Sequence, residues 1–247
     1  MATRRGAKRG GWRAAGLMFG LMTGLMVGLM MVPAAAGCRI ALVLAVDVSR
    51  SVSLVDYQLQ QDGIVAALAD PQVQAAFLRP KDHVALAIYE WGGNEYQDII
   101  ADWREIRSPF ELEVIARLVA ARQRVSDHQP TALGWAVDFG ARLMETAPPC
   151  DKQVLDVSGD GRNNTGMTPA TAYRDRDFGD LVVNGLAIGE HESDLAQYFQ
   201  DELIRGPGAF VEVAASQKDF PAAIRRKLIR ELSDQVAAQG FSRARGG

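Results

Sequence analysis

The chain has 247 residues, 48% of them hydrophobic, with 27 basic side chains against 30 acidic ones and only two cysteines. That length suits one domain with a full core. Outside the first 37 residues no basic cluster is large enough to neutralise a phosphate backbone, which excludes nucleic acid as a partner.

Residues 1–37 stand apart from the fold. Arg4, Arg5, Lys8, Arg9 and Arg13 form a basic start without an acid, an apolar stretch runs from Ala14 to Val32, and Pro33 and Ala34-Ala35-Ala36 follow. This is the pattern of a secretory signal cleaved after Ala36, so the remainder is expected in the periplasm or outside the cell. Gly16, Gly20, Gly24 and Gly28 recur at every fourth residue, a face on which membrane helices pair. Retention as an uncleaved anchor facing the periplasm is therefore the alternative. Five of the 27 basic residues lie in this segment, which leaves 22 against 30 acids, a formal −8. An acidic exported domain suits cation binding.

From residue 38 apolar runs alternate with amphipathic stretches, the pattern of an α/β domain with a mostly parallel sheet flanked by helices. The first strand is predicted at Ile40–Val48. Ser53 and Asp56 then form a capping box ahead of a helix carrying Leu54, Tyr57, Ile64, Val65 and Leu68, which Pro71 closes. Strands at Val84–Trp91 and Gln97–Trp103 are separated only by a short turn around Gly92-Gly93. That gap is too short for a crossover helix, so the two are expected as an antiparallel pair at one edge.

Helices are expected over Pro109–Arg122 and Ala132–Thr146, and a strand over Gln153–Val157. The polar loop Ser158-Gly-Asp-Gly-Arg-Asn-Asn164 follows, then a short helix after Thr168-Pro169. A strand at Leu181–Ile188, a helix at Ser193–Leu203, a sixth strand at Ala209–Val213 and a last helix from Asp219-Phe220-Pro221 complete the domain, read as residues 38–239. Residues 240–247 are polar, Gly-rich and read as a disordered tail.

Cys38 lies nine residues before Asp47, and Cys150 ten before Asp160. If their strands run side by side, both cysteines sit near the amino ends. Export would then favour a disulfide between them. The competing reading is a lipoprotein, with lipid on Cys38 holding the protein to the membrane. A lipidation site would normally carry Leu where this chain has Ala35.

Three segments carry the chemistry. Asp47, Ser49 and Ser51 end the first strand, Thr131 stands in Pro130-Thr-Ala-Leu-Gly134 just before a helix, and Asp160 follows the fourth strand. Loops at the carboxyl ends of parallel strands are where open α/β sheets bind ligands. One carboxylate with two hydroxyls suits a hard divalent cation such as Mg²⁺, which keeps several waters. His83, His128 and His191 are far apart and lack Cys or His at zinc spacing. Asp127 and His128, Arg50 and Glu90 are candidates for the rim, while Trp91, Trp103 and Trp135 read as core.

The DxSxS, T-x-x-G and DG elements, in this order, resemble the von Willebrand factor A domain across essentially the whole of residues 38–239. Leu44-Ala-Val-Asp-Val-Ser49 and Asp156-Val-Ser-Gly-Asp-Gly161 are similar to an exported bacterial branch of unknown function. The resemblance implies a doubly wound, six-stranded Rossmann-like sheet with one antiparallel edge strand and helices on both faces. It also implies a metal-ion-dependent adhesion site (MIDAS), with Ser49 and Ser51 as direct ligands of Mg²⁺ or Mn²⁺ and Thr131 as a direct ligand in one liganded state. Asp47 and Asp160 would act through waters and hydrogen bonds. The open position would take a carboxylate from a partner protein. Gly159 stands where this family commonly has Thr or Ser, which leaves the local hydrogen bonding to be explained.

Rival readings follow from the same loops. A Mg²⁺-dependent phosphatase of the haloacid dehalogenase type would use Asp47 as nucleophile, but its general acid position holds Ser49 and its acidic loop ends in Asn164. A serine hydrolase lacks the strand–elbow–helix context. A structural envelope domain with a vestigial metal site shares every ligand. The reading adopted is a non-catalytic, Mg²⁺-dependent protein-binding module.

Overall fold

The computed structural model describes the backbone of residues 37–243 and the side chains of residues 37–233. The segment read as an export signal or anchor lies outside the described residues except for Gly37, as do residues 244–247. Six strands form one sheet: β1 (Cys38–Asp47), β2 (His83–Trp91), β3 (Gln97–Ile106), β4 (Gln153–Gly159), β5 (Val182–Ile188) and β6 (Val211–Ala214). Their order is β3-β2-β1-β4-β5-β6, with β3 antiparallel to β2 at the edge and the other neighbours parallel. The chain turns between β2 and β3 through Gly92–Tyr96, closed by the Gly92 amide on the Tyr96 carbonyl at 3.0 Å.

Strand alternation divides β1 between two cores. Ile40, Leu42, Leu44 and Val46 pack against α1 (Leu54–Ala69), α2 (Pro71–Leu78), α3 (Pro109–Ala121) and α7 (Phe220–Arg243). Ala41, Val43 and Ala45 meet α4 (Leu133–Met144), α5 (Pro169–Asp175) and α6 (Leu195–Tyr198). Burial on both faces explains why β1 reads as a continuous apolar run. Both cores draw only on residues of one compact unit, 36–247, which therefore has what it needs to fold by itself.

The Ser53–Asp56 capping box is present at α1, with the Asp56 amide donating to Ser53 Oγ at 3.2 Å and the Ser53 amide to Asp56 Oδ2 at 3.1 Å. Pro71, read as a terminator, instead opens α2. Asp70 caps that helix by accepting from the Gln72 and Val73 amides at 2.8 and 3.1 Å, and proline is tolerated there because first-turn amides have no helical partner. The helix expected over 193–203 divides into α6 and a π-helical turn, Phe199–Leu203, where the Ile204 amide reaches back five residues to the Phe199 carbonyl at 3.0 Å. α7 continues to Arg243, past the Gly240 at which the sequence places the start of a tail. No helix among the described residues is long and apolar enough to cross a membrane.

Cys38 and Cys150 are joined by a disulfide, their Cα atoms 4.5 Å apart and 112 residues apart in sequence. The bond uses the Sγ that a lipid on Cys38 would need. Closing so long a loop restricts the unfolded chain by about 4–5 kcal/mol in the chain-entropy picture. It fastens the amino ends of β1 and β4, so their carboxyl ends lie together at the other end of the sheet.

Candidate metal centre

At those carboxyl ends the five oxygen-bearing side chains come together. Asp47 closes β1 and is fully buried, and its Oδ1 accepts the Ser49 amide at 2.7 Å, which folds the donor loop back on its own strand. Ser49 Oγ lies 3.2 Å from Ser51 Oγ and accepts from Thr131 Oγ1 at 3.4 Å. Ser51 Oγ donates to Asp160 Oδ1 at 2.5 Å, and the Asp160 amide approaches Asp47 Oδ2 at 3.4 Å. Every candidate ligand therefore touches another. Asp47, Ser49, Thr131 and Asp160 are buried, and Ser51 is exposed.

Neighbouring loops hold this arrangement. The Thr131 amide donates to Asn164 Oδ1 at 2.9 Å, and Asn164 Nδ2 donates to Thr131 Oγ1 at 3.3 Å. The Gly134 amide donates to Asn163 Oδ1 at 3.2 Å. A Cβ on Gly134 would lie 2.2 Å from the Met167 carbonyl oxygen, so the glycine of T-x-x-G is what lets the 163–168 loop close over α4. Gln217 Nε2 donates to Asp160 Oδ2 at 3.3 Å. Arg124 Nη2 donates to the Val48 and Ser49 carbonyls at 3.0 and 2.9 Å, drawing the 122–131 loop onto the donor loop.

Asn163, Asn164, Gln217 and Arg124 were not read from sequence as site residues. Asn164 carried one signal, an amide four positions beyond Asp160, and the others carried none. Gly159 is also accounted for. A Cβ there would lie 3.1 Å from Asp47 Oδ2, 3.3 Å from the Trp91 ring and 3.4 Å from the Phe199 ring, so buried aromatics fill the space a Thr or Ser would need.

The rim candidates divide. Asp127 and His128 pair with each other at 3.1 Å and are exposed, a solvated loop tip. Glu90 does not face water: it is buried, accepts from Tyr57 Oη at 2.5 Å and from Tyr96 Oη at 3.3 Å, and pairs with Arg122 at 3.0 Å. It clamps α1 and the end of α3 to the β2–β3 turn. Arg50 is exposed, with its amide on the Gln129 carbonyl at 2.7 Å. Trp91 is fully buried, as read. Lys152 precedes β4 and Asp160 follows it, so the lysine a phosphatase would need lies at the other end of the strand from the donors.

The donor set fits a hard divalent cation. Among the described residues no group of three or more His, Cys, Asp or Glu side chains is placed to hold a metal. The set is instead two carboxylates and three hydroxyls. The side-chain and amide partners recorded for those carboxylates are neutral: the Ser49 and Asp160 amides, the Ser51 hydroxyl and the Gln217 carboxamide. Burial, and then the charge of Asp160, push the Asp47 carboxyl up to about 8, against the pull of the Ser49 amide. Burial also raises Asp160, against the Ser51 hydroxyl and the nearby His191. Two buried acids, with no Lys or Arg paired to either among the described residues and His191 as the nearby basic group, mark a place whose charge a cation would relieve.

Comparison with solved structures identifies the architecture. Proximal thread matrix protein 1 from the mussel byssus superposes with a TM-score of 0.58 at 12% identity, over 80% of this chain and 49% of that one. A second structure of the byssus protein has a zinc-occupied MIDAS motif. A von Willebrand factor type A protein from Catenulispora acidiphila gives 0.55 at 15% identity, covering 81% and 43%, and the pilus adhesin SpaC from Lactobacillus rhamnosus GG gives 0.57 at 13%, covering 82% and 30%. This chain thus spans about half of the byssus protein and less of the other two. At such identities the likeness shows the fold, which is that of von Willebrand A-type domains. No curated protein matches the sequence. The chain belongs to the family described as "Protein of unknown function (DUF1194)", whose profile matches residues 37–236.

Proposed function

We propose that the protein is an exported, non-catalytic binding module that engages a partner protein through Mg²⁺ or Mn²⁺ held by Asp47, Ser49, Ser51, Thr131 and Asp160. The observation that carries this reading is that each of the five residues contacts another at the carboxyl ends of β1 and β4, around two buried carboxylates. When bound, the cation supplies an electrophilic centre for an outside anionic oxygen, because hydroxyl ligands neutralise little of its charge. Ser49, Ser51 and Thr131 offer those neutral oxygens. Asp47 orients the Ser49 backbone, and Asp160 holds the Ser51 hydroxyl in place. Export is supported by the signal-like first 37 residues and by the disulfide, which suits an oxidising compartment. The von Willebrand A-type fold shared with a pilus adhesin is consistent with protein binding.

Thermal unfolding of residues 38–247, first with chelator and then with millimolar Mg²⁺ or Mn²⁺, tests it. Metal at about a hundredfold its Kd adds roughly 2.7 kcal/mol, a rise of roughly 5–10 °C for a domain of this size. The rise is expected in the unmodified protein and absent in Asp47→Ala. No rise at millimolar metal would leave a structural envelope domain with a vestigial site.

A further inference from the structure

Asp160 follows β4 and Glu192 follows β5, and the two strands are parallel neighbours, so the β5–α6 loop lies beside the metal centre. Its contacts reach the same donors. Glu190 Oε2 accepts the Gln217 amide at 2.8 Å, and Gln217 Nε2 in turn donates to Asp160 Oδ2 at 3.3 Å. Glu192 comes to the centre from another side. A Cβ built on Gly161 would have Glu192 Oε1 and Thr131 Oγ1 each 3.7 Å away, with nothing else within 4 Å apart from its chain neighbours. The two oxygens therefore flank one gap, at most twice that distance apart, and the gap exists because residue 161 has no side chain.

Arg162 holds Glu192 at this gap. Its amide donates to Glu192 Oε1 at 3.3 Å, and its Nε lies 2.9 Å from Oε2. The same guanidinium donates through Nη2 to Asp194 Oδ2 at 2.6 Å and lies over the Tyr198 ring, 4.7 Å from its centroid. Two acids thus share one guanidinium, and a negative charge is left over beside the donors. Glu192 Oε2 is closed off from solvent and accepts no hydrogen bond. A carboxylate has about four acceptor sites, so most of the capacity of Glu192 is unused.

We propose that Glu192 is a sixth residue of the metal centre, holding one of the cation's own waters across the gap over Gly161. The inference rests on the metal-dependent reading above and adds to it a carboxylate from a fourth loop. Mg²⁺ and Mn²⁺ keep several waters where the protein offers few oxygens, and a cation with one such water spans a gap of this size. Direct ligation is not what the geometry offers, because Asp47, Asp160 and Glu192 do not form a group of three acids placed to hold an ion by themselves. An outer carboxylate orients the water it holds, and losing one costs roughly 10–100-fold in metal affinity.

Titration of residues 38–247 with Mn²⁺, with the free ion followed by electron paramagnetic resonance, tests this. Glu192→Gln keeps the size of the side chain and an oxygen for Arg162, and it is expected to raise the Kd about tenfold. Gly161→Ala leaves every charge in place and sets a methyl in the gap at ordinary contact distance from both oxygens, so it is expected to raise the Kd severalfold. Asp127→Asn removes an equal charge from the exposed tip of the loop that carries Thr131, and its Kd is expected to stay within about twofold of the unmodified protein's. Tm in chelator, measured for each variant, shows that the fold is intact. An unchanged Kd in Glu192→Gln or in Gly161→Ala overturns the inference and leaves Glu192 as an ion-pair partner of Arg162, with the metal site standing. An equal rise in Asp127→Asn and Glu192→Gln overturns it as well, since any nearby charge would then serve. If the unmodified protein binds no Mn²⁺, the metal-dependent reading itself falls, and this inference with it.

Discussion

Ser51 Oγ donates to Asp160 Oδ1 at 2.5 Å across 109 residues of chain, so the last donor of the β1–α1 loop is bound directly to the donor that follows β4. The bond joins the β1–α1 loop to the loop after β4 and fixes the Ser51 hydroxyl against a charged oxygen. Such bonds contribute about 1.5–3 kcal/mol when buried and less at an exposed serine. Ser51→Ala is therefore expected to cost about 1 kcal/mol in chelator, read as a shift in the urea midpoint. It should also reduce the metal-induced stabilisation severalfold. An unchanged metal response would remove Ser51 from the ligand set.

The pH dependence has a definite sign. Asp47 titrates near 8 in the folded protein against an ordinary value of 3.8, so between these the folded state binds the extra proton. The stability tied to this group is full below about pH 4 and is lost as pH rises toward 8. In chelator, unfolding midpoints should fall across that window, by an amount on the order of a few kcal/mol in total. With saturating Mn²⁺ the slope should flatten or invert, because the cation binds the ionised carboxylates. Asp47→Asn is expected to lose the Asp47 part of the slope in chelator, and a slope identical to that of the unmodified protein would contradict the assignment.

The order and type of nearly every element were legible in the sequence because apolar runs, Pro, Gly and capping boxes are local signals. The meeting of Asp47 and Asp160 was legible for a different reason: both stand at the ends of neighbouring parallel strands, which topology alone brings together. α2 was not legible, because Pro71 after Asp70 reads equally as a helix stop or as the first turn of the next helix. Arg124, Gln217 and Asn163 were not legible either. Each acts through contacts with distant parts of the chain, such as Gln217 on Asp160, that no local pattern encodes. The role of Glu90 was not legible, since its partners Tyr57 and Arg122 lie 33 and 32 residues away.

Gly159→Ala tests how tightly the centre is packed. The added methyl would sit 3.1 Å from Asp47 Oδ2 and 3.3 Å from the buried Trp91 ring, and neither neighbour has free space. Overpacking of this kind costs about 1–3 kcal/mol. The substitution is expected to lower Tm in chelator and to weaken the Mn²⁺ response together, because the side chain that yields is Asp47. A Tm loss with an unaltered metal response would show that Trp91 or Phe199 moves instead.

Lys227 is a buried charged group away from the centre. Its side chain is 0% exposed, with Nζ 2.6 Å from Asp156 Oδ1 and 3.0 Å from Glu231 Oε1. Asn184 Nδ2 donates to Glu231 Oε1 at 2.7 Å, and Asn184 Oδ1 accepts the Phe210 amide at 2.9 Å, so α7 is tied to β4, β5 and the approach to β6. Burial alone would lower the Lys227 ammonium, but the charges of Asp156 and Glu231 outweigh it and hold it above its ordinary value. With two acids to one ammonium, burial and then the charge of Glu231 keep the Asp156 carboxyl well above the carboxylate range. Lys227→Met removes the cation and leaves both acids buried, which is expected to cost about 3–5 kcal/mol. Asp156→Asn leaves one balanced pair, so it should cost far less at pH 7. It should also reduce the loss of stability as pH rises, since Asp156 acts in the same direction as Asp47. The double substitution should recover part of the Lys227→Met loss, because the two groups share one interaction. Urea midpoints of the four proteins at pH 5 and pH 8 decide it, and additive losses would mean that Lys227 and Asp156 do not form the pair their 2.6 Å separation indicates.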